Sequence, residues 1–236
     1  MAHDRPSQPA PRPEDREAGT PLRALVAAGP THEPIDDVRY IGNRSSGRMG
    51  AAIAEALREA GCRVTFCRGP GVAEVPGCRD ARFRTAGELL SALRAEWPDH
   101  DVLVMAAAVA DFRPARAVAG KMRRESGRTT LELEPTEDIL ASLASERRPG
   151  QFVVGFALER PEELEASARA KLLRKGADAI VANPLETMDS SDVDATVLLA
   201  DGTRLSPGGR MPKRSFASWL AAQVVPRAAA RRAARG

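Results

Sequence analysis

The feature that most constrains this chain is a rhythm of short apolar runs, each ending in glycine or a polar residue and each followed by a helical stretch. "LRALVAAG" (22–29), "CRVTFCRG" (62–69), "DVLVMAAAVADF" (101–112), "QFVVGFALE" (151–159) and "DAIVANP" (178–184) are short and almost continuously apolar. That is the pattern of strands covered on both faces. Helices are predicted over 47–60, 87–97, 137–147, 161–176 and 214–231. "ARFRTA" continues the rhythm, "TTLELEP" belongs to a hairpin-like insert, and "TVLLADGTRL" gives a strand and a turn. The alternation predicts an α/β, Rossmann-like three-layer fold: a mostly parallel sheet, helices on both faces and a small β insert. Ligands of such sheets bind beyond the carboxyl ends of the strands, so "AAGPT", "AAVADF", "GFALE" and "VANP" are expected to converge.

At 236 residues the chain can bury one large core. The domain is placed at 22–225. Residues 1–21, rich in proline, charge and small side chains, are predicted to be a disordered extension, and 226–236 a fraying basic tail. The net charge of +3 comes from interspersed acids and bases, and aromatics are 4% of the chain, so nucleic-acid binding is not expected. Cys62, Cys67 and Cys78 are odd in number and lack metal-ligand spacing. With no apolar run of membrane length and no signal core, a soluble cytoplasmic protein is expected, with no membrane partner.

The stretch "VRYIGNRSSGRMG" (38–50) is almost a phosphate loop. Gly42 and Gly47 have P-loop spacing, but Arg48 and Met49 stand where lysine and a hydroxyl residue belong. Residues 30–43 also separate the loop from its strand, and the glycine spacing is not that of a dinucleotide fold. What survives is Ser45, Ser46 and Gly47 before a helix whose free amides favour an anion, with either serine as a possible N-cap. The basic residues add a second sign. Only four are lysines (Lys121, Lys171, Lys175 and Lys213) against 31 arginines. A retained ammonium suits a crowded phosphate oxygen that a guanidinium fork does not fit. Lys171 and Lys175, four apart, share a helix face.

The block "AAGPTHEPIDDVRYIGNRSSGRMG" resembles the signature of the phosphopantothenate–cysteine ligase family of coenzyme A biosynthesis. The likeness continues in order through "AAAVADFRP", "GKMRRESG", "LELEPTEDIL", "VVGFALE", "ARAKLLRKGADAIVAN" and "MPKRSFASWLA". It implies a Rossmann-like ligase, usually dimeric. Such an enzyme activates 4'-phosphopantothenate with a nucleoside triphosphate and Mg2+, then joins it to cysteine through an acyl-nucleotide. Bacterial members typically use CTP and animal members ATP. Many bacterial members are fused to a decarboxylase, which this chain is expected to lack and to meet as a separate partner.

By the same resemblance Lys121 would act in forming the acyl-nucleotide, Asn43 in its turnover with cysteine, and Arg39 beside them. Asp111, Phe156, Lys171 and Lys175 would contact the nucleotide. So would Gly29, the loop residues Ser45, Gly47 and Gly50, the Met105–Ala107 segment with Ala106, and Glu137, Asp138, Ile139 and Leu140. Ala107, Ala108 and Asn183 would join Arg39 and Asn43 at the acid substrate. No protein-held metal ligand set is implied.

Departures bear on specificity. Pro30 replaces a second glycine, "EPTEDIL" replaces a usual "KNPDIL" that helps recognise cytosine, and "ANPLE" lacks the acid after Asn183. The flanking strand and Asp138–Ile139 still favour CTP. The alternatives are a related nucleotide-dependent ligase for another carboxylate or amine, or a catalytically silent nucleotide-binding module.

Overall fold

In a computed structural model of the chain, residues 19–124, 128–188 and 190–234 are described. In chain order the elements are β1 (Arg23–Pro30), β2 (His32–Pro34), β3 (Tyr40–Gly42), α1 (Arg48–Glu59), β4 (Arg63–Arg68), β5 (Arg79–Arg82) and α2 (Ala86–Glu96). They continue with β6 (Val102–Ala108), β7 (Phe112–Pro114), β8 (Leu133–Pro135), α3 (Ile139–Ser145), β9 (Phe152–Glu159), α4 (Leu164–Lys175) and β10 (Ala179–Pro184). The remainder is β11 (Asp192–Val193), β12 (Thr196–Leu199), β13 (Arg204–Leu205), β14 (Met211–Pro212) and α5 (Lys213–Ala233).

One eight-stranded sheet has the order β13-β12-β10-β9-β6-β1-β4-β5. Its β5-to-β10 portion is parallel, and β12 and β13 are antiparallel at one edge. The expected α/β architecture is therefore present. The order reverses between β1 and β6, whose register runs to Gly29 opposite Ala107 and Pro30 opposite Ala108. Such a reversal opens a crevice at the strand ends.

Strand periodicity separates the two cores. Ala24, Val26 and Ala28 of β1 pack with α1 and α5, whereas Leu25 and Ala27 face the layer of α2, α3 and α4. The continuous apolar runs of the sequence follow from this double coverage. Besides the β11–β14 pair, two short ladders stand off the main sheet: β2 with β3, and β7 with β8, where Phe112 is opposite Pro135. They bear an exposed apolar group, Val38, Tyr40, Phe112, Val118, Leu131 and Leu133.

The termini depart from expectation. Of the extension predicted over 1–21, residues 1–18 lie outside the described residues. Thr20 is held, its carbonyl accepting from Arg232 Nη2 at 2.7 Å. The basic tail is not separate before residue 233, because α5 continues through Pro226 with Ala228 fully buried. Packing on both sides of the proline outweighs the lost backbone hydrogen bond. Beyond it, Arg231 pairs with Asp178, whose carboxylate also accepts from Val153 N at 2.8 Å and Arg147 Nη1 at 3.0 Å. Asp178 is 5% exposed at its side chain. Asp178→Ala is expected to cost about 2–4 kcal/mol, below a wholly buried pair because Arg231 is 38% exposed. Thermal unfolding should shift down by about 5–15 °C. A shift under about 2 °C would show that this cluster does not hold the helix end.

Candidate functional site

At the β1/β6 reversal lies an open cavity of about 570 Å³, a size suited to a small-molecule ligand. Its floor is the end of β6, Ala106 to Val109, and the end of β9, Phe156 to Leu158. One wall is the Gly42–Gly50 loop and helix start; Lys171 comes from α4, Asn183 from β10 and Lys213 from α5.

Two glycines make this geometry possible. Gly47 is the residue before α1, at φ 67, where a side chain would also strike Val72. The expected serine cap is therefore corrected: α1 has no side-chain cap, and Ser45 Oγ instead accepts from Gly47 N at 3.3 Å. A positive φ was required to turn the loop into the helix, and serine would have borne that strain. Gly50 meets β1 directly, since a Cβ there would lie 2.3 Å from the Ala28 Cβ and 3.4 Å from that of Ala106. Asn43 is fixed over β6 by Nδ2 donating to Val109 O at 2.8 Å.

Of the residues singled out in the sequence, Asn43, Ser45, Gly47, Gly50, Ala106, Ala107, Ala108, Asp111, Phe156, Lys171 and Asn183 line this cavity. The others do not. Gly29 abuts Gly69 and Val72 behind the loop, and Met105 is buried in the α2–α4 core. Lys175 does not join Lys171: one helical turn, about 6 Å, carries it away along α4. There it pairs with Asp138. Asp138 also caps α3, accepting from Ala141 N at 3.1 Å. Glu137 bonds Ser142 and Arg94, which hold its carboxyl below the usual range. Ile139 and Leu140 are core residues. The 135–140 segment still approaches the site, because Thr136 donates from N to Asp111 O at 2.9 Å and from Oγ1 to Ala110 O at 2.6 Å.

Arg39 and Lys121 lie together, outside the cavity. Asp36 organises them: its buried carboxylate pairs with Arg39 and accepts from Val38 N, Arg39 N and Met122 N at 2.9, 2.7 and 3.1 Å. The Arg39 guanidinium, aided by these amides, holds the Asp36 carboxyl well below its ordinary range. Arg39 Nη2 further donates to Met122 O at 3.1 Å, and Gly120 N to Asp37 Oδ2 at 2.9 Å. The segment bearing Lys121 is thus laced to the β2–β3 turn.

The lining also includes Arg44, Arg48, Val109, Leu158, Met188 and Lys213, absent from the candidate set. Arg44 and Arg48 sit inside the singled-out loop block, and the scarcity of lysine had marked Lys213. Nothing local signals Met188 or Leu158. Four cationic side chains face one lining carboxylate, Asp111, a balance that favours a polyanion. Among the described residues no cluster of three His, Cys, Asp or Glu could hold a metal. A lone carboxylate fits Mg2+ that arrives on nucleotide phosphates, since that ion usually needs only one or two protein carboxylates.

A family model described as the DNA/pantothenate metabolism flavoprotein C-terminal domain matches residues 20–227. The chain belongs to this family. Among relatives of the pantothenate metabolism flavoprotein domain, a coenzyme A biosynthesis bifunctional protein CoaBC from Mycolicibacterium smegmatis is 40% identical over 196 residues. That match takes in 77% of this chain and 47% of the relative. A cysteine/cysteine sulfinic acid decarboxylase from an unknown prokaryotic organism is 44% identical over 167 residues, 70% of this chain and 46% of that one. The chain thus spans about half the length of the curated relatives it matches. The crystal structure of the C-terminal domain of a CoaBC protein superposes with a TM-score of 0.74 at 32% identity, covering 87% of this chain and 95% of the other. No helix among the described residues is long and apolar enough to cross a membrane.

The Gly50 contact yields a direct test of the cavity. Gly50→Ala must push α1 off β1, costing about 1–3 kcal/mol as overpacking and displacing the Gly47 loop. Lowered thermal stability together with weakened nucleotide binding is the expected outcome, read by calorimetry. Unchanged values of both would mean that the helix seat does not shape the cavity.

Proposed function

We propose that this domain is a C–N ligase joining 4'-phosphopantothenate to cysteine through an acyl-nucleotide, with CTP as the preferred triphosphate. The observation that carries the reading is the meeting of Asn43, Asp111, Phe156 and Lys171 in one cation-rich cavity at the sheet reversal. The family relationship, including relatives named for coenzyme A biosynthesis, supports it.

A carboxylate is a poor acyl donor at neutral pH. In the first step its oxygen bonds to the α-phosphorus and the bond to pyrophosphate breaks. In the second, the cysteine amine attacks the acyl carbon, loses a proton and expels the nucleoside monophosphate. Both steps concentrate negative charge, which positioned cations and amides stabilise most effectively. Lys171, now 3.6 Å from Glu159, is placed to exchange that carboxylate for phosphate oxygens. Asn43 keeps a second N–H beyond the one given to Val109 O, and an amide can donate to an acyl oxygen without neutralising the incoming amine. Magnesium bound to the triphosphate supplies charge neutralisation; Asp111 is the lining carboxylate able to face it.

Base choice rests on backbone rather than on the 137–140 side chains, which are engaged elsewhere. Thr136 fixes this backbone against Ala110 and Asp111, within reach of the nucleotide wall. Buried backbone groups matched to cytosine reject adenine by leaving polar atoms unpaired.

Arg39 and Lys121 reach a ligand if a second copy brings its arm to the cavity. The exposed Val38, Tyr40, Phe112, Val118 and Leu133 on the same arms suit a homodimer contact. A decarboxylase acting on the product is the natural partner, whether on this polypeptide or another.

Purified protein supplied with 4'-phosphopantothenate, cysteine and each nucleotide tests the scheme through pyrophosphate release and amide formation. Lys121→Gln is expected to abolish pyrophosphate release, whereas Asn43→Asp forms the acyl-nucleotide and accumulates it. Mixing the two variants should restore about a quarter of wild-type turnover, from sites that combine intact halves. Normal turnover by Asn43→Asp, or kcat/KM for ATP equal to that for CTP, would refute the respective assignment.

A further inference from the structure

Thr31 follows β1 and is wholly buried, at a place where valine would fill the same volume without a polar atom. The ladder between β1 and β6 stops with Pro30 opposite Ala108, and Thr31 N extends it by donating to Ala108 O at 3.2 Å. The Ala110 N–H lies past the end of that ladder. Ala110 is itself 2% exposed, and a buried amide without an acceptor is costly. Thr31 Oγ1 meets that need, accepting from Ala110 N at 3.0 Å.

The consequence reaches the cavity through a single peptide unit. The Ala110 N–H and the Val109 carbonyl belong to one planar trans peptide, so their directions are opposed and fixed to one another. On one side the N–H is held by Thr31; on the other the carbonyl accepts from Asn43 Nδ2 at 2.8 Å. Rotation of this peptide would strand the buried N–H and carry the acceptor away from Asn43. Thr31 also bounds the chain leading to Asn43, for a Cβ on Gly42 would lie 2.7 Å from Thr31 O. The residue before Asn43 therefore rests on the Thr31 backbone, while the Asn43 side chain is aimed by the Thr31 hydroxyl through the Val109 carbonyl. The next peptide unit is gripped separately, since Thr136 Oγ1 donates to Ala110 O at 2.6 Å.

We propose that Thr31 is a positioning residue that places the Asn43 amide at the cavity and so governs the step Asn43 serves. Thr31 does not line the cavity, so it acts through the peptide. The kinetic consequence rests on the ligase reading; the placement of Asn43 does not.

The test compares wild type, Thr31→Val, Thr31→Ser and Thr65→Val. Valine keeps the volume and removes the acceptor, whereas serine keeps the acceptor. Thr65 carries another buried hydroxyl, bonded to His100 Nε2 at 2.9 Å and away from the cavity, and controls for the stability lost with any such group. In single-turnover experiments with 4'-phosphopantothenate, CTP and cysteine, Thr31→Val should release pyrophosphate at close to the wild-type rate. It should form amide about tenfold to a hundredfold more slowly, so that the acyl-nucleotide accumulates. Thr31→Ser should restore most of the second rate, and Thr65→Val should keep the wild-type ratio of the two. The ¹⁵N–¹H signals of the Asn43 side-chain amide report its placement without chemistry. They should move toward free-amide positions in Thr31→Val and stay in place in Thr31→Ser. A wild-type ratio of rates in Thr31→Val, equal slowing of both steps, or Asn43 signals that do not move would overturn the proposal. Wild-type protein that forms no amide would instead sink the ligase reading, and the Asn43 signals would still decide the role of Thr31.

Discussion

Helix α1 meets the sheet at Gly50 with no side chain between them, and the rest of the site depends on that contact. The Ala28 Cβ already occupies the space a Gly50 side chain would need. Close seating lets Ile53, Ala54 and Leu57 pack onto the same face and fixes the N-terminus of the helix over the β1/β6 reversal. The loop before it then has little freedom. Gly47 must turn with positive φ against Val72, Ser45 braces Gly47, and Asn43 comes to rest on the Val109 carbonyl. A van der Waals contact in the core thus positions a polar group at the site.

A second constraint is electrostatic. Asp36 is buried, with Arg39 and three backbone amides converging on its carboxylate. Burying a carboxylate is tolerable only when it is paired and hydrogen-bonded in this way. One of the amides belongs to Met122, so the same charge ties the β2–β3 turn to the segment carrying Lys121. Arg39 and the segment bearing Lys121 are therefore bound to one another. The cavity and the arm are separate parts, and the proposed chemistry needs them to meet.

Much of this was legible in the sequence because the core is doubly covered. Each parallel strand is a nearly unbroken apolar run, and the ends of β6, β9 and β10 do line one cavity, while the β1 end lies behind the loop. Where the structure departs from the local pattern, the causes are physical and specific. Lys175 shares a helix face with Lys171, but helical rise carries it to Asp138. The 137–140 side chains look like a recognition segment, yet Asp138 caps a helix while Ile139 and Leu140 fill the core. Pro226 and the arginines after it resemble a loose tail, whereas Ala228 and the Arg231–Asp178 pair keep them docked. Ser45 looked like a cap because serine is a good one; the backbone turn demanded glycine instead. Local patterns do not encode such long-range pairings.

The central claim is that the carboxylate attacks the α-phosphorus, giving an acyl-nucleotide. Its most direct test uses 4'-phosphopantothenate labelled with ¹⁸O in the carboxylate, with CTP and cysteine. Attack at the α-phosphorus makes a labelled oxygen the bridge, and amide formation leaves it on the nucleotide. One ¹⁸O per turnover should therefore appear in CMP, with none in pyrophosphate, by mass spectrometry. Label in inorganic phosphate, accompanied by CDP, would place the attack on the terminal phosphorus and contradict the account.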